Sequence, residues 1–194
     1  MIQIILLIVQ ECKYKNKCIF LLIFDKIIIF ISIFSGGIMH FIGIITDKNS
    51  ENNIKNIMKE NLEEEMIFLN EKNLDNFKNI KFDSIVINNN IKNNIILDKI
   101  LSKSKYILYN SDIDLKSDSF KKVNSNVITY GYNSNATVTI SSATDESYLI
   151  FIQKNIYGYN EIAGVQEIKF ERAKNNINAY DGMITTIINL IYSS

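Results

Sequence analysis

The chain has 194 residues, which is enough for one ordinary domain with a real hydrophobic core. Its 21 basic residues balance its 21 acidic residues, so no overall field favours nucleic acid or an acidic substrate as a partner. With one histidine, His40, and two cysteines, Cys12 and Cys18, no ordinary zinc site can be assembled. We interpret the cysteines as unpaired, inert thiols in a reducing compartment, which predicts a cytoplasmic protein.

The sequence changes character near Met39. Before it lie two runs that are hydrophobic almost all round, IQIILLIV and CIFLLIFDKIIIFISIF, with Lys13, Lys15 and Lys17 between them. A membrane helix needs about 18 consecutive apolar residues, but Asp25 and Lys26 interrupt the better candidate run. The segment IFSGGIMHF supplies no small-residue cleavage site of a secretory signal. In an AT-rich gene, its SGGIM portion could be encoded with a GGAGGT ribosome-binding sequence just before an ATG codon. We therefore predict that translation begins at Met39, with a membrane anchor in residues 1–38 as the alternative.

From Met39 onward, apolar strand-like runs alternate with helical patterns. Strands are predicted at 39–46, 64–70, 82–89, 105–112 and 126–131. Helical segments are predicted at 50–61, 75–80, 93–104 and 117–124. Ser50 is the predicted N-cap of the first helix, and the stripe Ile95, Ile96, Lys99 and Ile100 indicates the third. Strands that are apolar on both faces and alternate with helices predict a doubly wound parallel sheet.

After Gly131 the hydrophobic period changes to that of half-buried strands, which predicts an antiparallel extension. The strand-like runs are 136–142, 147–157 and 164–172, with a turn at 158–164. The last segment, 177–194, has apolar residues at helical spacing and predicts a terminal amphipathic helix. The expected fold class is therefore α/β: a doubly wound, mostly parallel sheet with a C-terminal antiparallel β extension and a terminal helix, within residues 39–194.

In an open parallel sheet, ligands bind at the carboxyl ends of the strands. The residues at those ends that could contact a ligand are Asp47, Lys48, Ser50, Asn110, Asp112, Tyr130, Gly131 and Asn133. A phosphate site needs a glycine-rich turn after the first strand, so that backbone N–H groups can approach the anion. Gly43 lies inside that strand and the turn has no glycine, so a solvated loop is the simpler interpretation.

Metal binding and acid–base catalysis have little support at this edge. Asp47, Asp112 and Asp114 could form a hard-cation site, but aspartates that cap the following segments explain them more simply. His40 lies near the start of the first strand, away from the expected ligand edge. We therefore predict no metal site and no catalytic residue.

The stretch VITYGYNSNATVTISS resembles the segment that closes the ATP-binding central domain of the Mur ligase superfamily, whose members join amino acids to peptidoglycan precursors. In that family a strand ending in Tyr-Gly is followed by a polar turn, an alanine and an alternating strand. Here these are Tyr130, Gly131, the turn through Asn135, Ala136 and the strand from Thr137. The later IQKNIYGYNEIAGVQEIKF is similar to the β-rich segment that follows, and IGIITDKNSENN lies where the family has its phosphate loop.

The departures from the family matter for function. The glycines and the Lys-Thr pair of the phosphate loop are missing at Asp47 to Ser50, and the magnesium-binding glutamate and its associated histidine have no clear counterpart. We also expect no equivalent of the third domain, which brings the amino acid. The resemblance therefore implies a catalytically degenerate protein that acts as a binding or regulatory module. We predict no cofactor, since the chain has no phosphate loop that would bind ATP.

A nucleotide, a cell-wall precursor or a partner protein could be the ligand of such a module. The alternative is a nucleotide-dependent, ligase-type enzyme that a partner subunit completes. A membrane scaffold remains open only if residues 1–38 are native.

Overall fold

The structure is a computed structural model that describes residues 5–7, 17–24, 27–34, 40–58, 65–92, 94–114, 124–172 and 177–192. The chain divides into two compact units, Met1–Met39 and His40–Ser194. The first unit contains β1 (Ile5–Leu7), β2 (Lys17–Phe24) and β3 (Ile27–Phe34). These strands form an antiparallel sheet in that order. That translation starts at Met39 stays a prediction.

The second unit begins with alternating strands and helices. They are β4 (Phe41–Ile45), α1 (Lys48–Met58), β5 (Glu65–Leu69), a 3₁₀ turn (Leu74–Phe77), β6 (Ser84–Ile87), α2 (Asn94–Leu101), β7 (Tyr106–Asn110) and β8 (Asn126–Tyr130). Then come β9 (Val138–Ala143), β10 (Ser147–Ile152), β11 (Ile156–Tyr157), β12 (Ile162–Ala163), β13 (Gln166–Glu171) and α3 (Ala179–Tyr192). The predicted helix at 117–124 lies almost wholly outside the described residues.

Eight strands form one sheet in the order β5-β4-β6-β7-β8-β9-β10-β13. The pairs from β5 through β9 are parallel, and β9–β10 and β10–β13 are antiparallel. The predicted fold class, a mostly parallel α/β sheet with an antiparallel extension and a terminal helix, is confirmed. The change of hydrophobic period after Gly131 predicts that the strands become antiparallel at β9. They become antiparallel one strand later, at β10. β9 still runs parallel to β8, and only Tyr130 and Val138 pair between them.

Alternate side chains of each strand point to opposite faces of the sheet. Both faces of its parallel part are apolar, and helices cover both. On one face, Ile42 and Ile44 of β4 belong to a core cluster with residues of α1 and α3. On the other face, Ile45 belongs to a second cluster with residues of α2 and the 3₁₀ turn. Gly43 points to this second face, where a Cβ would meet the Ile85 side chain. Its role is therefore close packing.

Helix α3 is buried on nearly every side, so the prediction of an amphipathic helix needs correction. Its polar residues Asp181, Thr185 and Thr186 are buried along with its isoleucines. The ring of Phe170 from β13 packs against Gly182, where a Cβ would lie 3.2 Å from the ring. The backbone N–H of Tyr159 donates to the carbonyl of Ile191, so the hairpin connection also covers this helix. Burial on all sides explains why α3 has more apolar residues than a single apolar stripe would contain.

Helix α2 also differs from its predicted stripe. Leu97, Ile100 and Leu101 are buried, whereas Ile95 is 72% exposed. Ile95 was expected on the apolar face with Ile100, but the two are five positions apart and so lie on different faces of an α-helix. The face that packs on the sheet is the one that carries Leu97.

The amino ends of the parallel strands carry an aromatic cluster. The ring centroid of His40 lies 4.3 Å from that of Tyr159 and 5.0 Å from that of Tyr192. Its Nδ1 is 3.6 Å from a carboxylate oxygen of Asp83. His40 thus lies at the start of β4, at the edge opposite the expected ligand site. In the described parts of the chain, no helix combines the length and the apolar character needed to cross a membrane.

Packing of α3 on the sheet predicts a large effect of Ile187→Ala. Ile187 is fully buried in the core cluster that contains residues of β4, α1 and α3. We expect its truncation to lower the free energy of unfolding by about 2–5 kcal/mol. The matched control is Ile95→Ala, which removes the same atoms from an exposed site and should change stability by less than about 0.5 kcal/mol. Urea unfolding followed by circular dichroism measures both; equal effects would contradict the assignment of α3 to the core.

Candidate functional site

The strand order creates one point where successive connections leave in opposite directions. From β4 the chain crosses to β5 on one side, and β6 lies on the other side of β4. In doubly wound sheets, such a switch point opens a crevice at the carboxyl ends of the two flanking strands, where ligands bind. By this rule, the crevice of this sheet is expected after Ile45 of β4 and Ile87 of β6, next to the first turn of α1.

Four polar side chains join the carboxyl ends of four neighbouring strands. The Asn88 Nδ2 donates to the Thr46 hydroxyl at 3.1 Å, and the Asn110 Nδ2 donates to the Asn88 Oδ1 at 3.0 Å. The Tyr130 hydroxyl shares its single proton between the same Asn88 Oδ1, at 3.1 Å, and the carbonyl of Ile87, at 3.2 Å. We call Thr46, Asn88, Asn110 and Tyr130 the carboxyl-edge ladder. It binds together β4, β6, β7 and β8.

Tyr130 is the buried centre of the ladder. Its side chain is fully buried, and burial raises the pKa of its hydroxyl well above the ordinary value, with the nearby Asp181 and Tyr180 adding to the shift. The hydroxyl therefore stays protonated and donates at every physiological pH. This role is structural: Tyr130 holds two strands in place and offers no proton to a ligand.

The start of α1 differs from the prediction that Ser50 caps it. Asp47 is the N-cap: its Oδ1 accepts the backbone N–H of Asn49 at 2.9 Å and of Ser50 at 3.1 Å. The N-cap lies three residues earlier than expected, because the aspartate two residues after the strand accepts the first free N–H groups of the helix. These N–H groups are the donors that a phosphate would use at a helix N-terminus. In this chain an internal carboxylate already occupies them.

Lys48 and Ser50 also have partners other than a ligand. The Lys48 Nζ lies 3.0 Å from Glu51, one turn along the helix, and its side chain is 75% exposed. Ser50 is buried, and its hydroxyl accepts the Asn178 Nδ2 at 3.3 Å. Lys48 is therefore a surface residue, whereas Ser50 contacts the segment before α3.

Asp181, in the first turn of α3, is a buried carboxyl beside α1. It is 0% exposed, and its Oδ2 accepts the Asn53 Nδ2 at 2.8 Å. Its Oδ1 is buried and accepts no hydrogen bond of regular geometry from the residues that the structure describes, although the Ser50 hydroxyl lies close enough to the carboxyl to favour its charged form. Burial raises the pKa of this carboxyl; Asn53 and Ser50 oppose the shift, and the charge of Asp47 adds to it. An unpaired buried carboxylate oxygen destabilises a fold, so Asp181 is a candidate functional residue.

Asp112 and Gly131 follow β7 and β8 at the same carboxyl edge of the sheet. We call these two residues, with Tyr132 and Tyr180, the rim. The Asp112 Oδ2 accepts the backbone N–H of Tyr132 at 2.7 Å and the hydroxyl of Tyr180 at 3.1 Å. Burial, together with this bond, raises the pKa of Tyr180 to about 12. Gly131 has φ of 149°, and a Cβ there would lie 2.5 Å from the Asp112 carboxylate, so only glycine fits. The ring of Tyr132 packs edge-to-face on Tyr180 and is 59% exposed.

The structure thus brings most of the predicted site residues to one edge, in three groups. Asn110 and Tyr130 belong to the ladder, Asp47 and Ser50 to the start of α1, and Asp112 and Gly131 to the rim. Asn133 lies in the turn after Gly131, where its side chain accepts the N–H of Asn135 at 2.9 Å. Lys48 pairs with Glu51 on the surface of its own helix. Within the described ranges, no cluster of three metal-binding side chains is present, and Asp47, Asp112 and Asp114 do not form one.

Sequence reasoning missed Asp181, Asn53 and Tyr180. All three reach the site through the packing of α3 on α1 and on the rim, across contacts that join residues 68 to 128 positions apart. One signal was available for Asp181: it is the sole charged residue of α3, in an otherwise apolar sequence, AYDGMITTIINLIY. A lone acid in a buried helix indicates either a structural hydrogen bond or a functional carboxyl.

No protein-family model matches this chain, and comparison with curated proteins gives no significant match.

The ladder predicts that Tyr130→Phe destabilises the protein. The change removes the one proton that Ile87 and Asn88 share at a buried site, and we expect the free energy of unfolding to fall by about 1–3 kcal/mol. Tyr157→Phe is the control, since that side chain is 57% exposed and its hydroxyl can bond to water. Chemical unfolding measures the difference, and a loss below that of the control would contradict a structural role for the ladder.

The buried carboxyl predicts a stability gain for Asp181→Asn. Because the pKa of Asp181 is raised in the folded state, the folded protein favours the neutral form and loses stability as pH rises through that pKa. The neutral amide avoids this loss, and we expect a gain of about 1 kcal/mol at pH 7. The gain should shrink as pH falls below the pKa, where the wild-type carboxyl is also neutral. Thermal unfolding of both proteins between pH 4 and 8 tests this; a destabilised variant at pH 7 would contradict it.

Proposed function

We propose that this chain is a catalytically degenerate, Mur-ligase-like α/β protein that acts in the cytoplasm as a binding or regulatory module. The ligand site in this proposal is the crevice after β4 and β6, between the carboxyl-edge ladder and the rim of Asp112. The mostly parallel sheet is compatible with the resemblance to the Mur ligases. Sheets of this kind also occur in many proteins of unrelated function.

The position of Asp47 carries the proposal. ATP-dependent ligation requires a γ-phosphate that backbone N–H groups, a lysine and magnesium hold together. At the start of α1, the N–H groups of Asn49 and Ser50 are bonded to the Asp47 carboxylate instead. A phosphate would have to displace this carboxylate and would then lie beside its negative charge.

The other parts of a ligation site are also directed elsewhere. Lys48 pairs with Glu51 on the helix surface, and His40 contacts Asp83 at the opposite edge of the sheet. Within the described residues, the crevice therefore offers carboxylates, amides and an exposed aromatic ring. These groups can recognise a ligand by hydrogen bonds, charge and stacking.

The charge of the crevice favours an amine over a phosphate. Asp47 and Asp112 both lie at this edge, and no lysine or arginine is bonded to either of them among the described residues. The exposed ring of Tyr132 adds a surface on which a cation can pack. Among cell-wall precursors, the proposed ligand class, the peptide part carries amino groups and is the part that this edge would bind.

Titration calorimetry with a synthetic cell-wall stem peptide tests the proposal. We expect binding of the free amine and at least tenfold weaker binding of the N-acetylated peptide, a difference of about 1.4 kcal/mol. Tyr132→Ala should weaken binding by a similar factor. Tyr157→Ala is the matched control, because that tyrosine is equally exposed but lies in the β11–β12 hairpin, beside the aromatic cluster of the opposite edge.

Titration with ATP, with and without magnesium, separates the proposal from a nucleotide-dependent enzyme. We expect no magnesium-dependent binding by the wild-type chain. Tight magnesium-dependent binding that Lys48→Ala abolishes would contradict the proposal and favour an enzyme that a partner subunit completes.

A further inference from the structure

Strand β13 forms one edge of the eight-stranded sheet and pairs only with β10 among the described strands. Its register with β10 runs from Ser147 opposite Glu171 to Ile152 opposite Gln166, without a bulge. The N–H of Arg172 donates to the carbonyl of Glu146, which continues this register. In an antiparallel pair, every second residue directs both backbone groups to the partner. The backbone groups of Ile168 and Phe170 therefore point to β10. Those of Glu167, Lys169 and Glu171 point to the other edge, which pairs with none of the described strands and which we call the free edge.

The side chains of β13 alternate in the same way. Ile168 and Phe170 are half-buried and pack against the cluster that contains α3. Glu167, Lys169 and Glu171 are exposed on the other face, and the Lys169 Nζ lies 2.6 Å from Glu171. The residues with free backbone groups are thus the charged ones, so any strand that pairs here is selected by charge.

We propose that the free edge of β13 binds the same edge of a second copy of this chain, antiparallel, with the two-fold axis at Ile168. This register places Glu167 opposite Lys169 of the partner and Lys169 opposite Glu167 of the partner. These two pairs are the hydrogen-bonded pairs, so their four N–H groups and four carbonyls become satisfied. Ile168 meets its own copy in the closer, non-hydrogen-bonded position. The two eight-stranded sheets then continue into one.

The charges distinguish this register from its neighbours. A two-fold axis at Lys169 places Lys169 opposite itself and Glu167 opposite Glu171, and an axis at Glu167 places that glutamate opposite itself. Like charges directly opposite each other destabilise a strand pair. An axis at Phe170 pairs Lys169 with Glu171 but overlaps only the last three residues of β13, whereas the axis at Ile168 overlaps residues 166–170. Charge complementarity and overlap together select Ile168.

Sedimentation equilibrium of the full chain at pH 7, over a series that reaches about 1 mM, tests the dimer. We expect reversible dimers of the wild-type chain and association weakened on the order of tenfold by Lys169→Glu, since both cross-strand pairs become repulsive. Glu167→Lys should weaken it similarly. The double variant Glu167→Lys with Lys169→Glu restores both pairs in this register and should recover wild-type association. Lys81→Glu, an exposed change before β6, is the matched control for net charge.

Two outcomes of this series would overturn the proposal. One is a wild-type chain that stays monomeric throughout. The other is a double variant that associates no better than Lys169→Glu, since that result is expected for the register centred on Phe170. Circular dichroism of each variant establishes that the monomer is folded, so loss of association is not confused with loss of structure.

Disulfide cross-linking reads the register directly. In a background with Cys12→Ser and Cys18→Ser, Ile168→Cys places two thiols opposite each other in the position where antiparallel strands are closest. We expect oxidation to link the two chains of the Ile168→Cys variant rapidly. Lys169→Cys is the control, because its two copies are diagonal neighbours, about 7–8 Å apart. Faster linking of the control would overturn the register.

Discussion

The hydroxyl of Tyr130 is the contact on which the carboxyl edge of the sheet depends. It shares its one proton between the carbonyl of Ile87 and the side chain of Asn88. Asn88 also accepts from Asn110 and donates, through its own amide, to Thr46. A parallel sheet leaves polar groups at this edge that adjacent loops must satisfy or expose. Here one buried tyrosine and two asparagines satisfy each other. The loops that form the crevice therefore start from strand ends that are held in a fixed position.

Against this satisfied framework, Asp181 stands out. The ladder and the N-cap contribute to stability, whereas a fully buried carboxyl with an unpaired oxygen opposes it. Asp181 lies beside the carboxylate of Asp47 and the amide of Asn53, where α1 and α3 meet. Groups that weaken a fold in this way cluster at functional sites. This contrast supports the proposal of a binding site next to α1.

Much of the architecture followed from local patterns. Alternation of apolar strands with helical stripes predicted the parallel sheet, and the change of period after Gly131 predicted the antiparallel extension. Two helices were less well predicted. Ile95 was expected in the core and is exposed, and α3 was expected to have a polar face and is buried. Periodicity reports one apolar stripe, but it cannot report how many neighbours surround a helix. Similarly, Ser50 is predicted to cap α1, but Asp47 caps it. Both residues can cap a helix, and only the backbone path after β4 selects Asp47.

The sequence by itself determined the fold class, the edge at which polar residues collect and the absence of a glycine-rich phosphate turn after β4, because strand ends and turn residues are properties of short segments. The tertiary structure alone decided which of those residues meet. It paired Asp181 with Asn53 across 128 positions and brought Tyr180 to Asp112, and it filled the helix N-terminus with the carboxylate of Asp47. Such contacts depend on how α3 packs against α1 and the sheet. That packing is set by the complementary shapes of whole faces, which no local pattern encodes.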